Sequence, residues 1–369
     1  MNSAAIAAAV AAASQPILPI GSGTKSALAA SSAPTQRLEL RELSGIVSYE
    51  PTEFLITARS GTPMHVLVAA LAEHGQYLPF DPMFVDQGAT LGGSLASGLS
   101  GANQLLYGRL RDFVMEVELV DGLGKLVRGG GKVVKNAAGF DLPKLVVGSY
   151  GRLGIITEVT LKVFPRPAAT ATLQATLASL PQGIAAIKKL RSLPLPLACL
   201  EMEPENSGGV SLWARFAGPA DSLAAVLARA TLAVPTTSPA MVDTAQEGEL
   251  WRARAQTLEH TQHAESALVR IATTLECLPE LIPRLLDLDG SRSYCSAAGA
   301  ITWLSLPGST DLTAVDKLLT GQQLAAVVVT GKVDQLTALG NKDWLAPAQR
   351  IQRAMDPEGK FARFQVLVP

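Results

Sequence analysis

Two stretches in the first third of the chain combine glycine with small hydroxyl side chains. One is Pro19-Ile20-Gly21-Ser22-Gly23-Thr24-Lys25; the other is Gly88-Ala89-Thr90-Leu91-Gly92-Gly93-Ser94-Leu95-Ala96-Ser97-Gly98. Glycine permits positive φ and close backbone approach, so runs of N–H groups can converge on a phosphate. The ligand that such a pair suggests is a dinucleotide. Neither simple nucleotide motif fits the first run. A P-loop needs glycine where Pro19 and Thr24 stand, and a Rossmann fingerprint needs a third glycine where the chain has Ser26.

Other reactive side chains are sparse. His65 and His74 fall on a predicted helix, where both read as structural and His74 in the last turn suits the helix dipole. His260 and His263 have a metal-compatible i, i+3 spacing with Glu259 before them, but no further ligands converge and no metal is expected. Arg252, Arg254 and Arg270 are the candidates for a bidentate carboxylate clamp. Cys199, Cys277 and Cys295 are odd in number and far apart, giving neither a disulfide framework nor an iron–sulfur or zinc spacing. That usage fits a reducing cytoplasm. No catalytic residue can be named from the sequence.

The elements that must position these residues follow from composition and pattern. A chain of 369 residues, 48% hydrophobic and 17% charged, implies two domains with ample core. A net charge of −1 leaves no electrostatic footprint for nucleic acid. Apolar runs break before a membrane-spanning length, and the alanine-rich start, Met1 to Ser14, lacks the basic residues of a secretory signal and reads as a surface helix.

Ile17 to Ile20 is a predicted strand feeding the first glycine turn. Arg37 to Leu40 and Phe54 to Ala58 are further strands. A helix follows with Thr62 as its N-cap and Gly75 as its stop. Phe113 to Val120 and Lys125 to Arg128 form a hairpin across Asp121-Gly122-Leu123-Gly124, and Ile155 to Val163 is another strand. Pro165 and Pro167 mark a boundary. Beyond it, strands at 195–203, 210–216, 267–274, 300–306 and 324–330 interleave with helices at 181–190, 221–232, 279–288 and 312–319. This pattern gives an open, mostly antiparallel sheet covered on one face. A last helix, 346–356, and an extended tail close the chain.

Taken in order, several blocks carry a family likeness: Ile20-Gly21-Ser22-Gly23-Thr24, Thr90-Leu91-Gly92-Gly93, Tyr107-Gly108, Arg111-Asp112, Lys135-Asn136-Ala137-Ala138-Gly139-Phe140-Asp141-Leu142 and Gly151-Arg152-Leu153-Gly154-Ile155-Ile156-Thr157-Glu158. The chain resembles the vanillyl-alcohol-oxidase (PCMH-type) FAD-binding flavoproteins and, within them, the smaller FAD-binding subunits of bacterial glycolate oxidase (glycolate dehydrogenase). The likeness is dense over residues 18 to 166.

The resemblance implies an α+β fold with three parts: a two-subdomain FAD-binding domain over 1–166, a cap over 167–345 and a C-terminal segment, 346–369, that returns to the FAD domain. It implies non-covalently bound FAD. Gly21, Ser22, Gly23, Thr24 and Lys25 would face the pyrophosphate. Gly88, Ala89, Thr90, Leu91, Gly92, Gly93, Ser97 and Gly98 would line the ribityl and adenosine side, and Gly154, Ile155 and Ile156 would offer main chain to a ring edge.

The implied partners are a catalytic flavoprotein subunit and an iron–sulfur subunit, with no nucleic acid. The implied location is the cytoplasm, where any contact with the inner face of the plasma membrane goes through those partners. Two departures stand out: the family's terminal Asp-Pro and phenylalanine survive as Asp356-Pro357 and Phe361, but Ala362-Arg363 replaces its Asn-Pro, and the Gly-His region reads Val328-Val329-Thr330-Gly331. Two other readings stay open: a self-sufficient FAD-dependent 2-hydroxy-acid or alcohol dehydrogenase, and a cofactor-free scaffold.

Overall fold

The computed structural model describes residues 1–31, 33–131, 140–205, 208–235, 240–242, 244–259, 266–333 and 337–364. Its first lobe runs α1 (Ser3–Ala12), β1 (Ile17–Ile20), β2 (Gln36–Glu39), β3 (Ile46–Glu50), β4 (Leu55–Arg59), α2 (Met64–Ala72), β5 (Gln76–Tyr77), α3 (Leu91–Ser97), α4 (Gln104–Tyr107), β6 (Val114–Val120), β7 (Leu126–Gly130), α5 (Leu142–Val146), β8 (Ile155–Lys162) and β9 (Phe164–Pro165). Strands β1 and β2 pair in parallel, while β3-β4-β8-β6-β7 form an antiparallel sheet. The glycine turn after β1 and the short helix α3 lie against each other between these two sheets.

The second lobe is a duplicated unit. Strand β10 (Ala169–Leu177), α6 (Leu180–Ser192), β11 (Leu197–Pro204), β12 (Val210–Gly218), α7 (Ala220–Ala233) and β13 (Ala240–Val242) make one βαββαβ series. After α8 (Thr244–Glu259), a second follows: β14 (Ala267–Ala272), α9 (Leu278–Leu286), β15 (Arg292–Ser296), β16 (Ile301–Leu306), α10 (Leu312–Gly321) and β17 (Ala325–Thr330), with β18 (Ala338–Gly340) on its edge and α11 (Leu345–Met355) beyond. The sheet order β13-β10-β12-β11-β15-β16-β14-β17-β18 joins the two units edge to edge through β11 and β15. Every pairing in it is antiparallel.

Side-chain period decides which face of that sheet does what. In β14, Val269 and Ile271 pack under α9 and α10, so Leu268 and Arg270 face the first lobe. Helix α9 buries Leu278, Leu281, Ile282 and Leu285, an i, i+3, i+4, i+7 stripe. Helix α8 covers part of the other face, with Glu247, Trp251, Arg254 and Leu258 on one side at the same kind of spacing.

Several sequence expectations change. The residues around Gly92 and Gly93 are not a loop: Leu91–Ser97 is helical, capped by the Thr90 hydroxyl and closed by Gly98 at φ 65°. Thr62 is not the cap of α2; Pro63 occupies that position, and the Thr62 hydroxyl instead bonds the Gly45 amide at 2.9 Å. His74 lies past the end of α2, edge-on to Tyr49 with ring centroids 5.2 Å apart. Strands β3, β10, β13, β15 and β18 and helices α4, α5 and α8 were not foreseen. His260, His263 and the block 135–139 lie outside the described residues.

Candidate functional site

A cleft opens between the turn after β1 and helix α3. Its wall holds Gly21 to Lys25, Thr90, Gly92, Gly93, Ser97, Gly154 and Ile156, all expected from sequence. Five expected residues do not reach it. Ala89, Leu91 and Ile155 are core residues no more than 1% exposed, while Gly88 and Gly98 serve left-handed turns behind the wall. Tyr150, Gly151, Ser60, Leu28 and Leu40 line it without having been foreseen.

The first turn is built to present amides. Arg41 donates from Nε to the Gly21 carbonyl at 3.3 Å and from Nη2 to the Ser22 carbonyl at 3.1 Å. In a trans peptide the carbonyl and the next amide point opposite ways, so the Ser22 and Gly23 amides turn from Arg41. Among the described residues, no acceptor in the chain meets the amides of Ser22, Gly23, Thr24 or Lys25. The turn can approach α3 only because residue 21 is glycine: a Cβ there would collide with Thr90 Oγ1. Gly23 takes φ 73° with open space beside it.

Lys25 supplies the charge. It is 8% exposed, its Nζ donates to Thr24 Oγ1 at 3.1 Å and lies 4.9 Å from the Phe84 ring centre. Burial lowers its pKa to about 8, against the pull of Glu259. The Ser60 hydroxyl is buried in the cleft wall with no partner. Four open amides, a buried ammonium and an orphaned hydroxyl around one cleft fit the pyrophosphate and hydroxyls of a dinucleotide.

The second run works differently. Leu91 N–H goes to Thr62 O at 2.9 Å, Gly92 N–H to Ser60 O at 2.7 Å, Gly93 N–H to Thr90 Oγ1 at 3.2 Å and Ser94 N–H to Thr90 O at 2.8 Å. None is left for a phosphate. At Gly92, a Cβ would come within 2.7 Å of Ser60 Cβ, so glycine is there for packing. At Gly93, a Cβ would meet only Thr90 Oγ1, at 3.0 Å.

Residues 2–130 match the family described as the FAD binding domain. That match lies within the first lobe. Over 165 residues the chain is 46% identical to glycolate oxidase subunit GlcE of Escherichia coli (strain K12), a match covering 45% of this chain and 47% of that protein. It is 35% identical over 163 residues to glycolate oxidase subunit GlcD of Bacillus subtilis (strain 168), covering 43% and 34%. To D-lactate dehydrogenase of Anaerostipes hadrus it is 35% identical over 130 residues, covering 35% and 27%.

The chain spans less than half the length of each of these relatives. Alkyldihydroxyacetonephosphate synthase, solved in two crystal forms, shares the fold: TM-scores are 0.69 and 0.73 at 15% and 13% identity. The alignments cover 95% and 97% of this chain and 72% and 74% of that one.

Outside the cleft lining, the C-terminal segment packs against the first lobe. Arg152, 1% exposed, donates to the carbonyls of Leu28, Tyr150, Ala30 and Arg363 at 2.7–3.2 Å, and burial lowers its pKa to about 10. Asp356 accepts the Lys360 and Phe361 amides at 2.7 and 2.9 Å. Ala362, at the departure from the family pattern, is 2% exposed and packs on Leu18 and Ile20. Of the altered pair, Ala362 is therefore buried on the β1 side while Arg363 is exposed.

A second cavity lies where the second lobe meets the first, bounded by Asp81, Ser100, Glu201, Arg254, Tyr294 and Trp303. Arg254 is stacked 3.3 Å from the Trp213 ring centre and 4.9 Å from that of Tyr294. Its Nε faces Glu201 Oε2 at 3.5 Å, and its Nη2 is buried without a partner. Burial pushes Glu201 up to about 7, and Glu259, whose Oε1 accepts the Phe84 amide at 2.6 Å, to about 7 as well.

Of the other clamp candidates, Arg252 is exposed. Arg270 is half-buried, faces Tyr150 and has no carboxylate partner among the described residues. Neither among the described residues does any group of three or more His, Cys, Asp or Glu converge as metal ligands, and no described helix is long and apolar enough to cross a membrane.

Proposed function

We propose that this chain is the FAD-binding subunit of a glycolate oxidase or dehydrogenase complex that converts glycolate, or a related 2-hydroxy acid, to the 2-oxo acid and passes the electrons to an iron–sulfur subunit. The turn after β1 carries the cofactor half of this reading: four amides without acceptors and a buried lysine line one side of the cleft. Ser22 to Lys25 would bind the pyrophosphate, Ser60 a hydroxyl, and Gly93, Ser97, Gly154 and Ile156 would form the close walls. When bound, FAD would supply a redox centre that relays electrons, the catalytic flavoprotein partner oxidising the substrate on its own flavin.

The complex half of the reading is supported by the two relatives named as glycolate oxidase subunits. Its partners would be a catalytic flavoprotein and an iron–sulfur subunit, in the cytoplasm or held through them at the inner face of the plasma membrane. Purification from its native host should bring down both partners and a yellow chain with about one flavin each. A colourless chain that takes up no added FAD would sink the cofactor assignment.

The cap cavity favours a second reading, a self-sufficient dehydrogenase for a small 2-hydroxy acid. A buried guanidinium with one open N–H edge is suited to the carboxylate of such a substrate. A chain purified alone that reduces its flavin with glycolate at full rate would favour this reading over the accessory one. The open amides of the first turn weigh against a cofactor-free scaffold.

A further inference from the structure

Arg254 is clamped on nearly every side. Both faces of its guanidinium are covered, by Trp213 and Tyr294, its Nε is turned to Glu201, and its Nη1 looks toward Glu203 at 3.9 Å. Only Nη2 is buried and unanswered. Glu201 is 3% exposed on β11 and is itself held in place: Ser296 Oγ donates to its Oε1 at 3.0 Å, leaving Oε2 for Arg254. The fork thus has one edge occupied by an internal carboxylate and one edge buried without a partner in a residue that lines the cavity.

Resting on the reading that the cavity takes a carboxylate, we propose that Glu201 is a positioning residue that orients Arg254 and competes with the bound carboxylate for its charge. One guanidinium balances one negative charge. A second carboxylate arriving at Nη2 leaves the buried site with an excess anion, which favours the protonated form of Glu201. Asp81 from the first lobe adds to the cost of its charge, while Arg254 and the Ser296 hydrogen bond oppose that cost. Carboxylate binding therefore takes up a proton.

Burial has already brought Glu201 to about 7, so the linkage falls near neutral pH. Below that value Glu201 is protonated before the ligand arrives and affinity is level. Above it, affinity falls by up to about tenfold per pH unit, because a proton must be bound with the ligand.

Oxalate, which has no C–H bond to oxidise, is the probe, titrated into the full chain by calorimetry from below to well above neutral pH. The wild type should bind it with that pH dependence. Glu201→Gln keeps the shape and an acceptor for Arg254 but cannot ionise; its affinity should fall less steeply with pH, the remaining slope coming from Glu259 in the same cavity wall, and at the alkaline end be at least about tenfold stronger than wild type. Ser296→Ala removes the donor that favours the ionised form, so the decline should begin at higher pH. Arg254→Met should abolish binding throughout.

If the wild type fails to bind oxalate, or Arg254→Met binds it like the wild type, the carboxylate reading fails and the proposal with it. If Arg254→Met abolishes binding but Glu201→Gln keeps the wild-type pH slope, or Ser296→Ala leaves its onset unmoved, the proposal alone is overturned.

Discussion

The two glycine runs look alike on paper and use glycine for opposite ends. In Gly21 to Lys25, backbone donors stay open because Arg41 holds the carbonyls from outside. In Leu91 to Gly93, every donor is spent, on Thr62, Ser60 and Thr90, and Gly92 serves to bring the helix onto Ser60. One run keeps its hydrogen bonds for a ligand; the other uses them to hold the wall against which the ligand would lie. A glycine-rich motif therefore locates a close approach, and the hydrogen-bond inventory says whether the approach is to a ligand or to the protein itself.

Substitutions can break or sharpen that contrast. Gly21→Val should have the largest effect on flavin: its side chain would collide with Thr90 and fill the cleft, so flavin absorbance per chain should fall to background while circular dichroism stays native. Gly93→Val faces the cleft and meets only Thr90 Oγ1, so a folded chain with FAD affinity reduced by more than about tenfold is expected, read by flavin titration.

Lys25→Met should cost about tenfold in FAD affinity and remove its pH dependence. In the wild type, Lys25 is protonated below about 8 and neutral above, so FAD binding should weaken as pH rises through that value. The cofactor-free chain should show the opposite trend. Its folded-state pKa lies below the unfolded one, so the unfolded chain holds more protons in that window and stability rises with pH from about 8 upward.

Gly92→Ala should change flavin stoichiometry least. Overpacking against Ser60 should cost about 1–3 kcal/mol, seen as a lower melting temperature, while the folded fraction keeps its flavin. A Gly92→Ala chain with wild-type stability and no flavin would reverse the roles assigned to the two runs.

What could be read in the sequence was local. The turn after β1, the β6–β7 hairpin and the alternating strands and helices of the second lobe all carry their signal within a dozen residues. Helix α3 did not, because two adjacent glycines are poor helix formers and only Thr90, as a cap, argues otherwise. Helix α8 was legible in principle from the spacing of Glu247, Trp251, Arg254 and Leu258, but its burial face is polar, which hides it from a search for apolar stripes.

The site itself was half legible. Residue types picked out Gly21 to Lys25, yet the commitment of the Gly92 amide to Ser60 is a long-range fact that no motif records. Arg254 could be named as a clamp candidate but not told from Arg252, since what separates them is enclosure between Trp213 and Tyr294, drawn from two distant strands.

Arg152 ties three parts of the chain by one side chain: the carbonyls of Leu28 and Ala30 just after the first turn, Tyr150 beside it, and Arg363 in the last described stretch. Gln352 extends the tie, bonding Arg152 O, Ala362 O and the Phe364 amide. The stretch just after the turn that would meet the pyrophosphate is thus tied to residues far later in the sequence. A brace that joins residues so far apart in sequence costs loop-closure entropy to form, so the stretch behind the cleft gains its order from the fold as a whole and not from its own local sequence.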